Sequence, residues 1–185
     1  ANGAGIKGCV VYRSDMTFDV NGITAAQVAL YAGTAITCTS AAPYIGYNAI
    51  LGFEWAVKTT TANTPRGRCE FNNADCTNGF YVDFDLGGWT FQFNFCFAFQ
   101  DTGFYIADTN SMRFVACGAD HPTDGTDLYN TGSGFVLTGG SKDNLFTSCQ
   151  TASHLIGFNI NTDSTDRNYF TDCHMWGMAS TGEGY

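Results

Sequence analysis

Two short elements alternate along this chain, and their alternation limits the fold more than any other feature. The first is Phe-x-x-Cys, at Phe93–Cys96, Phe114–Cys117, Phe146–Cys149 and Phe170–Cys173. A degenerate copy lies at Phe71–Ala74, and Ile6–Cys9 is a further relative. The second is Gly-Phe, at Gly52, Gly79, Gly103, Gly134 and Gly157, with starts 27, 24, 31 and 23 residues apart. A period near 23 residues built of short β-type strands predicts an all-β solenoid, a parallel β-helix with one unit per coil. Coils then stack about 4.8 Å apart, with like residues in columns. Leucine-rich repeats share the period, but their Leu-x-x-Leu-x-Leu pattern is absent. A β-sandwich would not keep two landmarks in step over five units. Residues 1–185 are expected to form one domain, with residues 1–44 less regular. The Asp/Gly/Thr-rich stretch Ala119–Ser133 reads as a loop inserted into one coil.

Strand alternation sorts the faces. Phe53 and Trp55, Phe80 and Val82, Phe104 and Ile106, Phe135 and Leu137, and Phe158 and Ile160 are expected inside. Glu54, Ala56, Tyr81, Asp83, Tyr105, Ala107, Val136, Thr138, Asn159 and Asn161 are expected outside. Phe and Cys of the first element are three apart, so a bend must separate them if both are buried. Asn144 and Asn168 stand two residues before the Phe in their units, where stacked amides can bridge coils. Five Phe on alternate positions, Phe91 to Phe99, exceed what one coil's interior can take. Some must face another surface, and a subunit interface is expected there.

Eight cysteines raise the question of disulfides or metal. The spacing contains no Cys-x-x-Cys, so no metal or other cofactor is expected. Cys9, Cys96, Cys117, Cys149 and Cys173 read instead as one column of buried free thiols. Cys69 and Cys76 are close enough in sequence to leave a pairing open. Buried thiols imply folding in a reducing cytoplasm.

Composition removes other classes. Eight Lys+Arg against 17 Asp+Glu give a net charge of −9, which argues against nucleic acid as a partner. No uncharged run has the length and apolarity of a membrane span. The chain starts at Ala1 without Met and stops at Tyr185, so a fragment of a longer chain is expected.

The Gly-Phe starts, the Phe-x-x-Cys turns and above all Asn168-Tyr-Phe-Thr-Asp-Cys173-His174-Met-Trp176-Gly177 resemble the right-handed β-helix of bacteriophage tailspike and tail-fibre proteins, a pectate-lyase-like domain. The resemblance covers residues 45–185 well and the first 44 weakly. It implies a homotrimeric virion component that acts outside the cell and binds bacterial surface polysaccharide, capsule or lipopolysaccharide. Many such proteins cleave what they bind. A non-catalytic receptor-binding component and a bacterial polysaccharide lyase or hydrolase of the same fold remain as alternatives.

The family has no single catalytic motif, so a site must be sought in the residues. The repeat alignment puts Glu54, Tyr81 and Tyr105 in one outward column, Ala56, Asp83 and Ala107 in the next, and Lys58 over Asp85. An inverting glycoside hydrolase needs two carboxyls about 6.5–9.5 Å apart. In this reading Glu54 is the general acid, Asp83 activates water, and Asp85 is held ionised by Lys58. Tyr81 and Tyr105 form the sugar platform.

Overall fold

The computed structural model describes residues 5–15, 29–39, 42–59, 66–83, 87–97, 101–120, 132–152, 155–161 and 166–176. The chain winds through three sheets in turn. Sheet A holds β1 (Gly5–Lys7), β4 (Tyr44–Gly46), β7 (Arg68–Glu70), β10 (Thr90–Gln92), β13 (Arg113–Val115), β16 (Leu145–Thr147) and β19 (Tyr169–Thr171). Sheet B holds β2 (Val10–Tyr12), β5 (Ala49–Leu51), β8 (Asn73–Asp75), β11 (Phe95–Phe97), β14 (Gly118–Asp120), β17 (Gln150–Ala152) and β20 (His174–Trp176). Sheet C holds β3 (Thr34–Cys38), β6 (Trp55–Thr59), β9 (Asn78–Asp83), β12 (Thr102–Ala107), β15 (Ser133–Thr138) and β18 (Ile156–Ile160). Each strand pairs in parallel with its counterpart one coil away, so the chain is a parallel β-helix as the repeat predicts.

The corner between sheets A and B explains why the strands are short. Its first residue has a positive φ in every coil: Gly8 (66°), Tyr47 (58°), Phe71 (55°), Phe93 (50°), Ala116 (49°), Ser148 (52°) and Asp172 (51°). Non-glycine residues adopt this left-handed conformation at a cost of about 1 kcal/mol or more each. Hydrogen bonding offsets it. The N–H groups of Tyr47, Phe71 and Phe93 each donate at 3.0 Å to a carbonyl of the next coil. The second corner residue is Cys9, Asn48, Asn72, Asn94, Cys117, Cys149 or Cys173. Asn48 Nδ2 donates to Asn72 Oδ1 (2.9 Å), and Asn72 Nδ2 donates to Asn94 Oδ1 (2.8 Å). These pairs are 24 and 22 residues apart, which sets the length of a coil.

Two phenyl stacks fill the interior. Phe80, Phe104, Phe135 and Phe158 line sheet C, with centroids 4.8, 4.6 and 4.9 Å apart. Phe91, Phe114, Phe146 and Phe170 line sheet A at 5.1, 4.7 and 4.7 Å. The stacks meet edge to face, as at Phe104–Phe114 (6.3 Å, 85°), an arrangement that suits the ring quadrupoles. Each fully buried phenyl contributes roughly 2–3 kcal/mol of transfer free energy. Gly79, Gly103, Gly134 and Gly157 sit beside this stack because there is no room for a Cβ. At Gly103 it would lie 2.6 Å from both the Ala119 Cβ and the Gly134 carbonyl oxygen.

The observed register corrects the sequence alignment in three places. Phe91, not Phe93, is the partner of Phe114, and Phe93 occupies the exposed corner. Cys96 pairs with Ala74 and Ala119 in sheet B, so Asn94 rather than Cys96 stands in the Cys117–Cys149–Cys173 column. In sheet C, Val57 pairs with Phe80, so Ala56-Val57 is the counterpart of Gly79-Phe80 and Gly52-Phe53 is not. Gly52, with φ 83°, is a turn glycine. Ala56 is accordingly buried, Phe53 only partly so, and Trp55 half-exposed. Ile160, expected inside, is 45% exposed in the last described strand of its sheet.

The stacked corner amides are as expected, whereas Ala107, expected outside, is buried. Asn144 Nδ2 donates to Asn168 Oδ1 at 3.0 Å. Of the alternating phenylalanines only Phe91 is fully buried, while Phe93 and Phe97 are exposed; Phe99 lies outside the described residues. All eight cysteines are free thiols, Cys69 and Cys76 included, but Cys9, expected to be buried, is exposed and Cys173 is only partly buried. Burial pushes the Cys69 and Cys96 thiols well up, a hydrogen bond with Cys117 raises Cys149, and one with Cys149 raises Cys173. Among the described residues no group of three or more His, Cys, Asp or Glu is placed to hold a metal ion.

Candidate functional site

Sheet C carries a polar column on its outer face, because Phe80 and Val82 point inward and Tyr81 must then point out. The register of that column is Lys58, Tyr81, Tyr105, Val136, Asn159. Lys58 therefore takes the place that the sequence alignment assigned to Glu54. The Tyr81 and Tyr105 rings stack almost in parallel, with centroids 5.1 Å apart and planes 4° apart. Trp55 meets both edge-on, at 5.1 Å to Tyr81 and 6.4 Å to Tyr105. The Lys58 ammonium lies 4.9 Å from the Trp55 ring and 5.3 Å from the Tyr81 ring, within cation–π range.

Asp83 closes the shelf on its other side. The Tyr81 hydroxyl donates to Asp83 Oδ2 at 2.9 Å, two residues along the same face. Burial, followed by this bond to a carboxylate, pushes the Tyr81 phenol up to about 12. Tyr81 therefore stays a neutral hydrogen-bonding group across the physiological range. Its ring is fixed by stacking and its hydroxyl by Asp83, so the shelf is rigid before anything binds.

The structure brings together Lys58, Tyr81, Tyr105 and Asp83, and adds Trp55. It does not bring in Glu54. Asn78 N–H donates to the Glu54 carbonyl at 2.7 Å, and Asn78 pairs with Trp55. Glu54 is thus level with Thr77, six positions before Asp83. At roughly 3.3 Å per residue the two are about 20 Å apart along the sheet. That is well beyond the spacing of an inverting carboxyl pair. Glu54 is exposed in the bend just before β6. Asp85, expected under Lys58, lies outside the described residues.

Trp55 escaped sequence reasoning because the Gly52-Phe53 alignment turned it inward. A second aromatic row was missed for a related reason. Tyr47, Phe71 and Phe93 stack on one another at the A–B corner, at 4.8 and 5.0 Å, and the Lys7 ammonium lies 5.1 Å from the Tyr47 ring. Each is followed by the Asn of the corner ladder. The aromatic-Asn doublets Tyr47-Asn48, Phe71-Asn72 and Phe93-Asn94 were the signal that could have found it.

Fold and site together define a β-solenoid with a preorganised aromatic and polar shelf on one outer sheet. Compared with known proteins, the chain matches no family model, and no curated protein or solved structure matches it.

Proposed function

We propose that this protein binds bacterial surface polysaccharide, in the manner of a bacteriophage tailspike or tail-fibre β-helix. The observation that carries the reading is the Trp55–Tyr81–Tyr105 shelf between Lys58 and Asp83. A sugar presents apolar C–H faces and a rim of hydroxyls. Aromatic side chains supply a surface for the first at low entropic cost, and the ammonium, carboxylate and phenol groups supply partners for the second. A rigid shelf loses little freedom on binding.

The reading is that of a binder. Glu54 and Asp83 stand too far apart to act as a hydrolytic pair, so no catalytic step is assigned to them. The homotrimer of this reading is supported by the exposed Phe93 and Phe97, which are 38% and 43% exposed and need a covering surface. Its place in the virion follows from the same proposal.

A glycan array of capsular and lipopolysaccharide fragments tests it, run with the wild type and with Tyr81→Ala and Tyr105→Ala. Selective binding by the wild type and its loss in both variants are expected. Wild type that captures no surface glycan, or variants that bind as well, would defeat the proposal. Release of reducing ends from a bound polysaccharide would show a depolymerase whose acids lie elsewhere than Glu54 and Asp83.

A further inference from the structure

The corner leading into sheet A repeats with a positive φ, at Ala42 (52°), Arg66 (69°), Gly88 (91°), Ser111 (58°), Asp143 (55°) and Arg167 (48°). This column contains two arginines in different settings. Arg167 is neutralised by Asp143 one coil away, through bonds of 2.8 and 2.9 Å to its two carboxylate oxygens. Arg66 has Ala42 and Gly88 as its column neighbours, and neither carries a charge. Two residues further along, Arg68, Thr90 and Arg113 share one register position in three successive coils. Their neighbours Cys69, Phe91 and Phe114 are buried, so these three side chains point outward. Arg68 and Arg113 are two coils apart, roughly 9–10 Å.

Arg66, Arg68 and Arg113 line an open groove of about 490 Å³ together with Gly67, Gly88 and Thr90. Gly88 keeps the groove open beside Arg66, since a Cβ there would lie 3.3 Å from the Arg66 Cγ. All three guanidinium-bearing residues are exposed, and among the described residues none of them forms an ion pair. They are three of only eight cations in a chain of net charge −9. Gathering them in one groove costs mutual repulsion and creates a local field opposite in sign to the rest of the molecule.

We infer that this groove is a binding site for an oxyanion, a carboxylate, sulfate or phosphate group. Arg68 and Arg113 hold it from either side, Arg66 holds it from the corner, and the Thr90 hydroxyl adds a neutral donor. Guanidinium groups match such anions with paired N–H donors, which a single lysine cannot do. The groove lies on sheet A and the aromatic shelf on sheet C, so the inference stands whether or not the shelf binds sugar. On a polysaccharide the group is a uronate or an acidic substituent, and a free ion offers the same chemistry.

Calorimetric titration with inorganic phosphate, sulfate, an oligouronate and a neutral oligosaccharide of equal length tests the inference. Saturable binding of at least one anionic probe is expected, weakening with added salt, and none of the neutral one at this site. Arg68→Gln combined with Arg113→Gln should weaken it about 10-fold or more, and Arg167→Gln should leave it unchanged. Phosphate binding as tightly as the oligouronate identifies a free-ion site. Saturation by the oligouronate alone places the group on a sugar. If the double variant loses its circular-dichroism spectrum, Arg113→Gln and Arg66→Gln are read singly. Absence of saturable anion binding to the wild type, or unchanged binding by folded arginine variants, overturns the inference.

Discussion

Replacing Asn72 tests how the corners hold the coils together. Its side chain is fully buried. Its Oδ1 accepts from the Asn48 backbone N–H (3.1 Å) and from Asn48 Nδ2 (2.9 Å). Its Nδ2 donates to the Ile45 carbonyl (3.1 Å) and to Asn94 Oδ1 (2.8 Å). Asn72→Ala would strand the Asn48 N–H and remove the side-chain bonds to the Ile45 carbonyl and to Asn94 Oδ1. A buried group left unsatisfied costs about 1–3 kcal/mol and each lost bond about 1 kcal/mol, so the loss should be about 3–5 kcal/mol. Asn72→Cys is the informative comparison. Cysteine already occupies this position in later coils, where Cys149 Sγ donates to the Phe114 carbonyl (3.5 Å) and Cys173 Sγ to the Phe146 carbonyl (3.7 Å). Those carbonyls are the counterparts of Ile45. The thiol can therefore keep the inward bond while losing the acceptor for Asn48. About 1–3 kcal/mol is expected. Urea unfolding followed by circular dichroism, with hydrogen exchange at Asn48, measures both. An alanine variant within about 0.5 kcal/mol of wild type, or a cysteine variant no better than alanine, would refute this reasoning.

Other outcomes follow from particular contacts. Gly103→Ala should destabilise by about 1–3 kcal/mol, seen as a lower melting midpoint, because its methyl would meet Ala119 and the Gly134 carbonyl at 2.6 Å. Asp75 is mostly buried, and desolvation pushes its carboxyl up to about 7. A carboxyl raised on folding binds its proton more tightly in the folded chain, so this group's contribution to stability is present below about pH 4 and is lost as pH rises towards 7. The difference is up to about 4 kcal/mol, and Asp75→Asn should flatten the dependence of the urea midpoint between pH 5 and 8. Phe93→Ser combined with Phe97→Ser should convert the proposed trimer to monomer in sedimentation; a wild type that is already monomeric at micromolar concentration counts against the trimer.

The fold was legible because stacked coils put chemically alike residues in columns. Phe114, Phe146 and Phe170, or Phe104, Phe135 and Phe158, can be aligned by eye. The errors share one cause. A slip of two or four residues preserves the inward–outward parity of a strand, so hydrophobic pattern alone does not forbid it. Phe91, Phe93 and Phe95 all fit a slot that only Phe91 fills. Gly52 and Gly79 look identical in sequence, yet one serves a turn with positive φ and the other a place with no room for a Cβ. The candidate site depended on that register. Tyr81, Tyr105 and Asp83 were found because they lie in coils aligned correctly. Glu54 was drawn in, and Trp55 left out, because the coil before them was displaced by four.

Trp55 supplies the most direct test of the shelf. It is half-exposed against Tyr81 and Tyr105, whereas Trp89 is fully buried and Trp176 is far along the solenoid in the last described strand. In a Trp176→Phe background, emission from Trp55 should shift saturably as polysaccharide is added, at the concentration where binding itself saturates, and Tyr81→Ala should abolish both. Polysaccharide that binds with no change at Trp55, and as well to Tyr81→Ala as to the parent, would contradict the assignment of the shelf.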